Sequence, residues 1–238
     1  MENKVIYLDE VDSTNIFAAK LCRNNEEIPS AVIAEYQTSG SGRMGRSFHS
    51  PKSQGIYMTY ILDVKKVKTL NLITSSAGLA VAETLEEICS LKTKIKWPND
   101  IILSSGKVCG ILTKLITENN EIKYALIGIG INVINETFPG DIKNIATSLK
   151  IETGKVFDKK IITEKLIENL NKIFLQKKLT EEEIVKEIKL RSDMLGKKVF
   201  VKSENREYFA VDISADGGLV VEDNGVKSVI HNGEVELL

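Results

Sequence analysis

A chain of 238 residues, 42% apolar and 27% charged, has the length of one large domain or of a medium domain with a small companion, and this composition excludes a mainly disordered polymer. With 32 basic and 33 acidic residues the net charge is -1, so bulk attraction to nucleic acid or an anionic membrane is excluded and any anionic substrate must be gripped locally. The three cysteines, Cys22, Cys89 and Cys109, are odd in number and set in apolar stretches, which fits buried thiols in a reducing compartment.

Lys4 to Leu8 reads as a short strand, and Asp12-Ser13-Thr14-Asn15 then offers helix-capping side chains ahead of the apolar positions Ile16, Ala19 and Leu21. Ala31 to Tyr36 is β-prone and runs into Gln37 to Arg46, a stretch with three glycines and almost nothing to place in a core. Gly55 to Val64 is apolar on both faces, the pattern of a central strand covered on both sides. Leu70 to Ser90 has helical apolar spacing. Strands are expected at Lys94 to Trp97, Asp100 to Leu103, Val108 to Thr117 and Ile122 to Ile129, the last two joined by the turn Glu118-Asn119-Asn120-Glu121. Helices are expected at Asp158 to Lys178 and Thr180 to Arg191. From residue 191 onward five short β-prone runs separated by Asn-Gly and Asp-Gly turns suggest a small β-barrel. This last segment holds six basic and nine acidic residues. The domain reading is therefore 1–190 and 191–238.

Met1 to Asp9 carries no basic segment followed by an apolar run, and no stretch approaches the roughly 18 apolar residues of a membrane span, so a cytoplasmic protein without a membrane partner is expected. Arginine is scarce: of Arg23, Arg43, Arg46, Arg191 and Arg206, two fall inside the glycine-rich stretch. Gly40-Ser41-Gly42-Arg43-Met44-Gly45-Arg46 lets backbone N–H groups approach a ligand, and its two guanidinium forks suit a phosphate or carboxylate. The same pattern also describes a surface loop with solvated arginines. It matches neither the Walker sequence nor the dinucleotide fingerprint.

Lys96-Trp97-Pro98-Asn99-Asp100 contains the only tryptophan and a proline that must interrupt a ladder, so a cation, an amide and a carboxylate could share one cleft; an ordinary turn with a packed indole is the plainer reading. Lys107 ahead of Gly110-Ile111 is one of many lysines. Gly128 and Gly130 inside an apolar strand mean either a bulge or a close ligand approach. His49 and His231 stand at no metal-ligand spacing, and no Gly-x-Ser-x-Gly elbow is present, so neither a zinc site nor nucleophilic hydrolysis is indicated.

Taken in order, Asp12-Ser13-Thr14-Asn15, Glu35-Tyr36-Gln37 with Gly40 to Arg46, Lys96 to Asp100, Lys107 with Gly110-Ile111-Leu112, and Gly128-Ile129-Gly130-Ile131-Asn132 resemble the biotin protein ligases, almost end to end. The resemblance implies an α+β fold: a central mixed sheet flanked by helices, like that of class II aminoacyl-tRNA synthetases, followed by a small SH3-like barrel. It implies ATP-dependent formation of biotinoyl-5'-AMP and transfer of the biotinoyl group to a lysine of a biotin carboxyl carrier protein. By matching position, Ser13, Thr14, Asn15 and Gln37 would address the biotin ureido ring, with Ser41, Gly42, Gly110 and Gly128 completing the biotin site. Arg43 and Arg46 would close over the biotin carboxylate and the ATP phosphates. Lys107 would stand between carboxylate and α-phosphate. Phe48, Lys96, Trp97, Asn99 and Asn132 would serve ATP, and Asp100 would orient the triphosphate with magnesium and help deprotonate the incoming lysine.

The loop departs from the family in having Ser41 where an arginine is usual, which predicts weaker retention of the adenylate, and Phe48 stands where tryptophan is often found. Two alternatives are a lipoate ligase or octanoyl transferase of related fold and a DNA-binding biotin-responsive repressor. The repressor is disfavoured because Ser13-Thr14-Asn15 begins too early to leave room for an N-terminal winged helix and because no basic face is available; no DNA partner is expected. Family members often dimerise by extending their sheets, so a homodimer is a candidate assembly.

Overall fold

A computed structural model describes residues 4–24 and 27–238. Of the N-terminal stretch Met1 to Asp9, positions 1–3 lie outside the described residues. Seven strands form one mixed sheet in the order β1-β2-β3-β7-β6-β5-β4. They are β1 (Val5–Leu8), β2 (Ala31–Ala34), β3 (Gly55–Asp63), β4 (Lys94–Lys96), β5 (Asp100–Leu103), β6 (Gly106–Glu118) and β7 (Glu121–Asn132). Among the described residues of this sheet only β1 and β2 run parallel, joined through helix α1 (Thr14–Arg23); every other pairing is antiparallel.

Burial explains the doubly apolar β3. Ile56, Met58, Tyr60 and Leu62 face a core completed by α2 (Ile73–Cys89), α4 (Lys159–Phe174) and α5 (Glu181–Arg191), while Ile61 faces Ala18, Leu21 and Cys22 of α1. A short helix α3 (Leu149–Thr153), capped by the Ser148 hydroxyl, follows β7. The three cysteines are free and buried, and burial pushes the Cys22 and Cys89 thiols up to about 11, which leaves them inert at neutral pH. α1 covers only one end of the opposite face of the sheet. α1 packs there on Leu126 of β7 and Ile116 of β6, and farther along these strands, toward Asn132 and Cys109, lie the glycines: Gly110 opposite Gly130, and Gly128 opposite Leu112.

Several elements differ from the spacing. α2 starts at Ile73, because Leu70–Leu72 form a separate 3-10 turn that sends Leu72 into a second core. The β6–β7 hairpin is longer than expected, since Asn119 and Asn120 both adopt the left-handed conformation (φ 50° and 63°) and let pairing run to Glu118–Glu121. The five residues of α3 are too few to show a period in the sequence.

The C-terminal strands β8 (Lys198–Val201), β9 (Arg206–Ile213), β10 (Leu219–Asp223), β11 (Val226–Ile230) and β12 (Val235–Leu237) form the expected SH3-like antiparallel unit in the order β11-β10-β9-β8-β12. Its core admits Leu72, Trp97 and Val185 from the preceding chain. The Trp97–Pro98 peptide is cis, and the buried indole donates its Nε1–H to the Gly217 carbonyl at 2.9 Å. Trp97→Phe is expected to leave that carbonyl unpartnered and to lower stability by about 1–3 kcal/mol in urea unfolding.

Candidate active site

A cavity of about 490 Å³ lies where the glycine-bearing part of the sheet meets the C-terminal unit, and every residue named above from Ser13 to Asn132 as a candidate lines it. Its floor follows from the cross-strand glycines. A Cβ on Gly128 would sit 2.0 Å from Asn15 Nδ2, one on Gly130 2.4 Å from the Phe48 ring, and one on Gly110 3.1 Å from Lys107 Nζ. Each glycine thus seats one side chain flat against the backbone.

At one end stands a polar wall. Thr59 Oγ1 donates to Thr14 Oγ1 (2.9 Å), Thr14 donates through N and Oγ1 to Gln37 Oε1 (2.9 and 3.1 Å), and Gln37 Nε2 donates to Ser50 Oγ (3.0 Å). Thr14 and Gln37 therefore brace the wall chiefly for one another. Asn15 Oδ1 is buried with no partner, and the buried Ser13 makes no side-chain cap to α1, so both side chains are open to a ligand, as is the second N–H of Gln37.

The opposite end is charged. Lys107 Nζ and Asp100 Oδ1 lie 2.7 Å apart. Strand alternation alone would point Lys107 and Gly110 to opposite faces, since they are an odd number of positions apart. The β5–β6 ladder has a register shift between Ile101 and Ile102, so Val108 is the extra residue and Lys107 turns onto the Gly110 side. The Lys107 backbone also anchors the loop after β7, donating N–H to Ile145 O (2.8 Å) and accepting from Thr147 N (2.9 Å). Asn132 Nδ2 holds the Thr147 carbonyl at 3.0 Å.

Asn99 is fastened to β6, donating Nδ2 to Ile111 O (3.1 Å), and its Oδ1 accepts from Arg43 at 2.9 Å. The second terminal nitrogen of Arg43 donates to Gly233 O at 2.8 Å. Burial lowers the Arg43 pKa while the Asp100 and Glu234 carboxylates oppose that shift. Arg46 pairs with Glu234, and both residues lie on the cavity wall. Between the arginines a single 3-10 turn carries Met44, 75% exposed and at φ 55°, on a loop whose backbone bonds include Gly42 N–H to Arg46 O and Arg46 N–H to Arg43 O. Ser41 Oγ reaches only Ser39 O, at 3.3 Å. Lys96 lines the same end, and Trp97 contributes a wall whose N–H is turned away to Gly217.

Sequence reasoning does not single out Gly130 as a seat, although it reads the motif containing it. It also misses His49, Phe138, Ile142 and Ile145, and Glu234 and Glu236 of the C-terminal unit, all of which line the cavity. The His49 and Phe138 rings meet edge to face at 6.4 Å, joining the two loops over the cavity, and burial lowers the His49 pKa. Among the described residues no group of three or more His, Cys, Asp or Glu is placed to hold a metal ion.

Residues 7–132 match the model of the biotin/lipoate A/B protein ligase family. The chain is 33% identical to the bifunctional ligase/repressor BirA of Bacillus subtilis, over all of this chain and 75% of that protein. It is 27% identical to the biotin--[acetyl-CoA-carboxylase] ligase of Mycobacterium tuberculosis, over 95% of this chain and 86% of that protein. Among solved structures, the biotin protein ligase from Aquifex aeolicus in complex with biotin and ATP superimposes with a TM-score of 0.85 at 32% identity, covering 100% of this chain and 99% of that one. A match across more than half of the chain, spanning most of the loop, strand and glycine positions that build the cavity, means that the chain belongs to the biotin/lipoate A/B protein ligase family.

Proposed function

We propose that the protein is a biotin protein ligase: it activates biotin with ATP as biotinoyl-5'-AMP, releasing pyrophosphate, and passes the biotinoyl group to a lysine of a biotin carboxyl carrier protein. The observation that carries this reading is one cavity with an unpartnered buried Asn15 oxygen over Gly128 at one end and Lys107, Asp100 and Arg43 at the other. A ureido ring brings N–H donors to Asn15 Oδ1 and a carbonyl to the Ser13 hydroxyl, while the backbone floor accepts the flat ring and chain.

In the first step a biotin carboxylate oxygen bonds to the α-phosphorus of ATP and the bond to the bridging oxygen of pyrophosphate breaks. Lys107 stands where it can pair with both the carboxylate and the α-phosphate, and Arg43, held by Asn99, adds a fork-shaped donor for the charge that grows on phosphorus. Lys96, Asn132, Phe48 and Trp97 frame the nucleotide. In the second step the carrier amine attacks the acyl carbon and AMP leaves. Lys107 then stabilises the oxyanion, and Asp100 is the carboxylate placed to receive the amine proton.

Asp100 is also the one motif carboxylate beside the phosphate end, which fits magnesium arriving on the nucleotide phosphates better than an all-protein metal cage. Bound there, the ion would neutralise phosphate charge. The first 190 residues form the catalytic domain, and residues 191–238 act as a second domain that lends Glu234 to Glu236 to the cavity wall. No described helix is long and apolar enough to cross a membrane.

A lipoate or octanoate ligase is the competing reading. Neither acyl chain carries a ureido N–H, so each would leave the Asn15 oxygen buried and unpaired, a loss that hydrogen-bonding sites discriminate strongly. Mixing the protein with ATP, magnesium and each acid decides between them: biotin-dependent pyrophosphate release is expected, and release with lipoate or octanoate but not with biotin would overturn the assignment. Because Ser41 offers no cation, Ser41→Arg is expected to slow loss of pre-formed adenylate by about two- to fivefold, the size of a partly exposed ion pair, in a chase with unlabelled biotin.

A further inference from the structure

Both arginines of the glycine-rich loop are engaged by the C-terminal unit. Arg46 is ion-paired with Glu234, and Arg43 divides its terminal nitrogens between Asn99 Oδ1 and Gly233 O. Glu234 does not travel with the loop. It precedes β12, Lys202 holds its carboxylate at 3.1 Å, the Lys202 N–H donates to its carbonyl at 3.1 Å, and Lys202 Nζ also holds Glu236 at 2.7 Å. The carboxylate is thus a fixed anion on the cavity wall, and its side chain is only 20% exposed.

We propose that Glu234 is an internal competitor of the ATP phosphates and sets the affinity of the site for polyphosphate. The inference rests on the ligase reading for the identity of the polyphosphate, and on the Arg46–Glu234 pair for its mechanism. A guanidinium fork that grips a carboxylate cannot grip a phosphate with the same N–H groups. Arg46 spends one terminal nitrogen on Glu234, so to turn its whole fork onto the triphosphate it must leave Glu234, and the carboxylate is then left near like charge with Lys202 as its remaining partner. Both effects oppose polyphosphate binding. The same exchange run backwards favours departure of pyrophosphate, because Glu234 recaptures Arg46 as the product leaves. No covalent step is involved.

The test compares the unmodified protein with Glu234→Gln, which keeps the shape and removes the charge. Titration calorimetry with inorganic pyrophosphate alone reports on the inference whether or not the protein turns over. Glu234→Gln is expected to bind pyrophosphate about three- to tenfold more tightly, a modest change because the Arg46 side of the pair is solvent-exposed. In turnover its KM for ATP is expected to fall by a similar factor while KM for biotin is unchanged. Adenosine, which has no phosphate, is expected to bind both proteins equally. The gain must also run through Arg46, so Glu234→Gln made in an Arg46→Gln background is expected to change pyrophosphate affinity by less than about twofold. Unchanged or weaker pyrophosphate binding by Glu234→Gln overturns the proposal, the weaker case showing that Glu234 assists the nucleotide. Equal tightening in the Arg46→Gln background overturns the route through Arg46. Absence of biotin-dependent pyrophosphate release by the unmodified protein counts instead against the ligase reading, and the calorimetric comparison stands apart from it.

Discussion

Lys107→Ala is expected to lower biotin-dependent pyrophosphate release by about 10²- to 10³-fold, roughly 3–4 kcal/mol of transition-state stabilisation, with the fold intact. The lysine lies 2.7 Å from Asp100 at the charged end of the cavity and is the cation seated over Gly110, so its removal takes away the group placed between carboxylate and phosphorus. The loss should appear in kcat and be somewhat larger in kcat/KM for biotin, because Lys107 pairs with the carboxylate before reaction as well as stabilising the charge that develops during it. Circular dichroism should show an unchanged fold, because Gly110 needs no side chain above it, with a modest loss of stability since the buried Asp100 Oδ1 loses its cation. Arg43→Ala should fall in rate as well, with the difference that Asn99 Oδ1 and Gly233 O both lose their donor. Retention of near-normal rates by both variants would sink the assigned roles.

Gly128→Ala should abolish most biotin affinity while leaving nucleotide binding nearly unchanged. The added Cβ falls 2.0 Å from Asn15 Nδ2, 3.1 Å from Asn15 Cγ and 3.3 Å from Leu112 O, so the asparagine must leave its seat. Asn15 is buried on the first turn of α1, which packs on β2 and β7, and has little room to rotate. A displacement of this size in a positioning group costs about 100-fold in binding or rate. Calorimetry with biotin checks it, and pyrophosphate binding serves as the control. An affinity within about threefold of the unmodified protein would mean that Asn15 does not contact the ureido ring.

The segments that carry chemistry are legible because each is local. Gly40 to Arg46 and Lys96 to Asp100 are contiguous, and the strand that bears Gly128 has the apolar pattern that β7 satisfies by burial. Most element boundaries follow from periodicity and turn residues. What stays hidden depends on pairing between distant positions. The orientation of Lys107 is decided by one bulge against β5, and alternation counted along the sequence points it to the wrong face. The importance of Gly130 emerges only when the Phe48 ring lies on it. That Thr14 and Gln37 are hydrogen-bonded to one another across 23 positions is visible in no local pattern. Glu234 sits in an acidic, turn-rich tail whose pattern says nothing of a guanidinium 188 positions earlier.

The cavity wall begins at Ser13 beside the first helix and ends at Glu236 on the last strand, and no supersecondary unit contains a usable part of it. During folding the site is therefore completed only when the C-terminal sheet docks against Trp97 and the glycine-rich loop, a contact of long sequence separation that is among the slowest kinds to form. Biotin and nucleotide have nothing to bind before that event. They should accordingly leave the refolding rate unchanged and act by slowing unfolding, so that the ligand-bound enzyme gains lifetime more than it gains speed of formation.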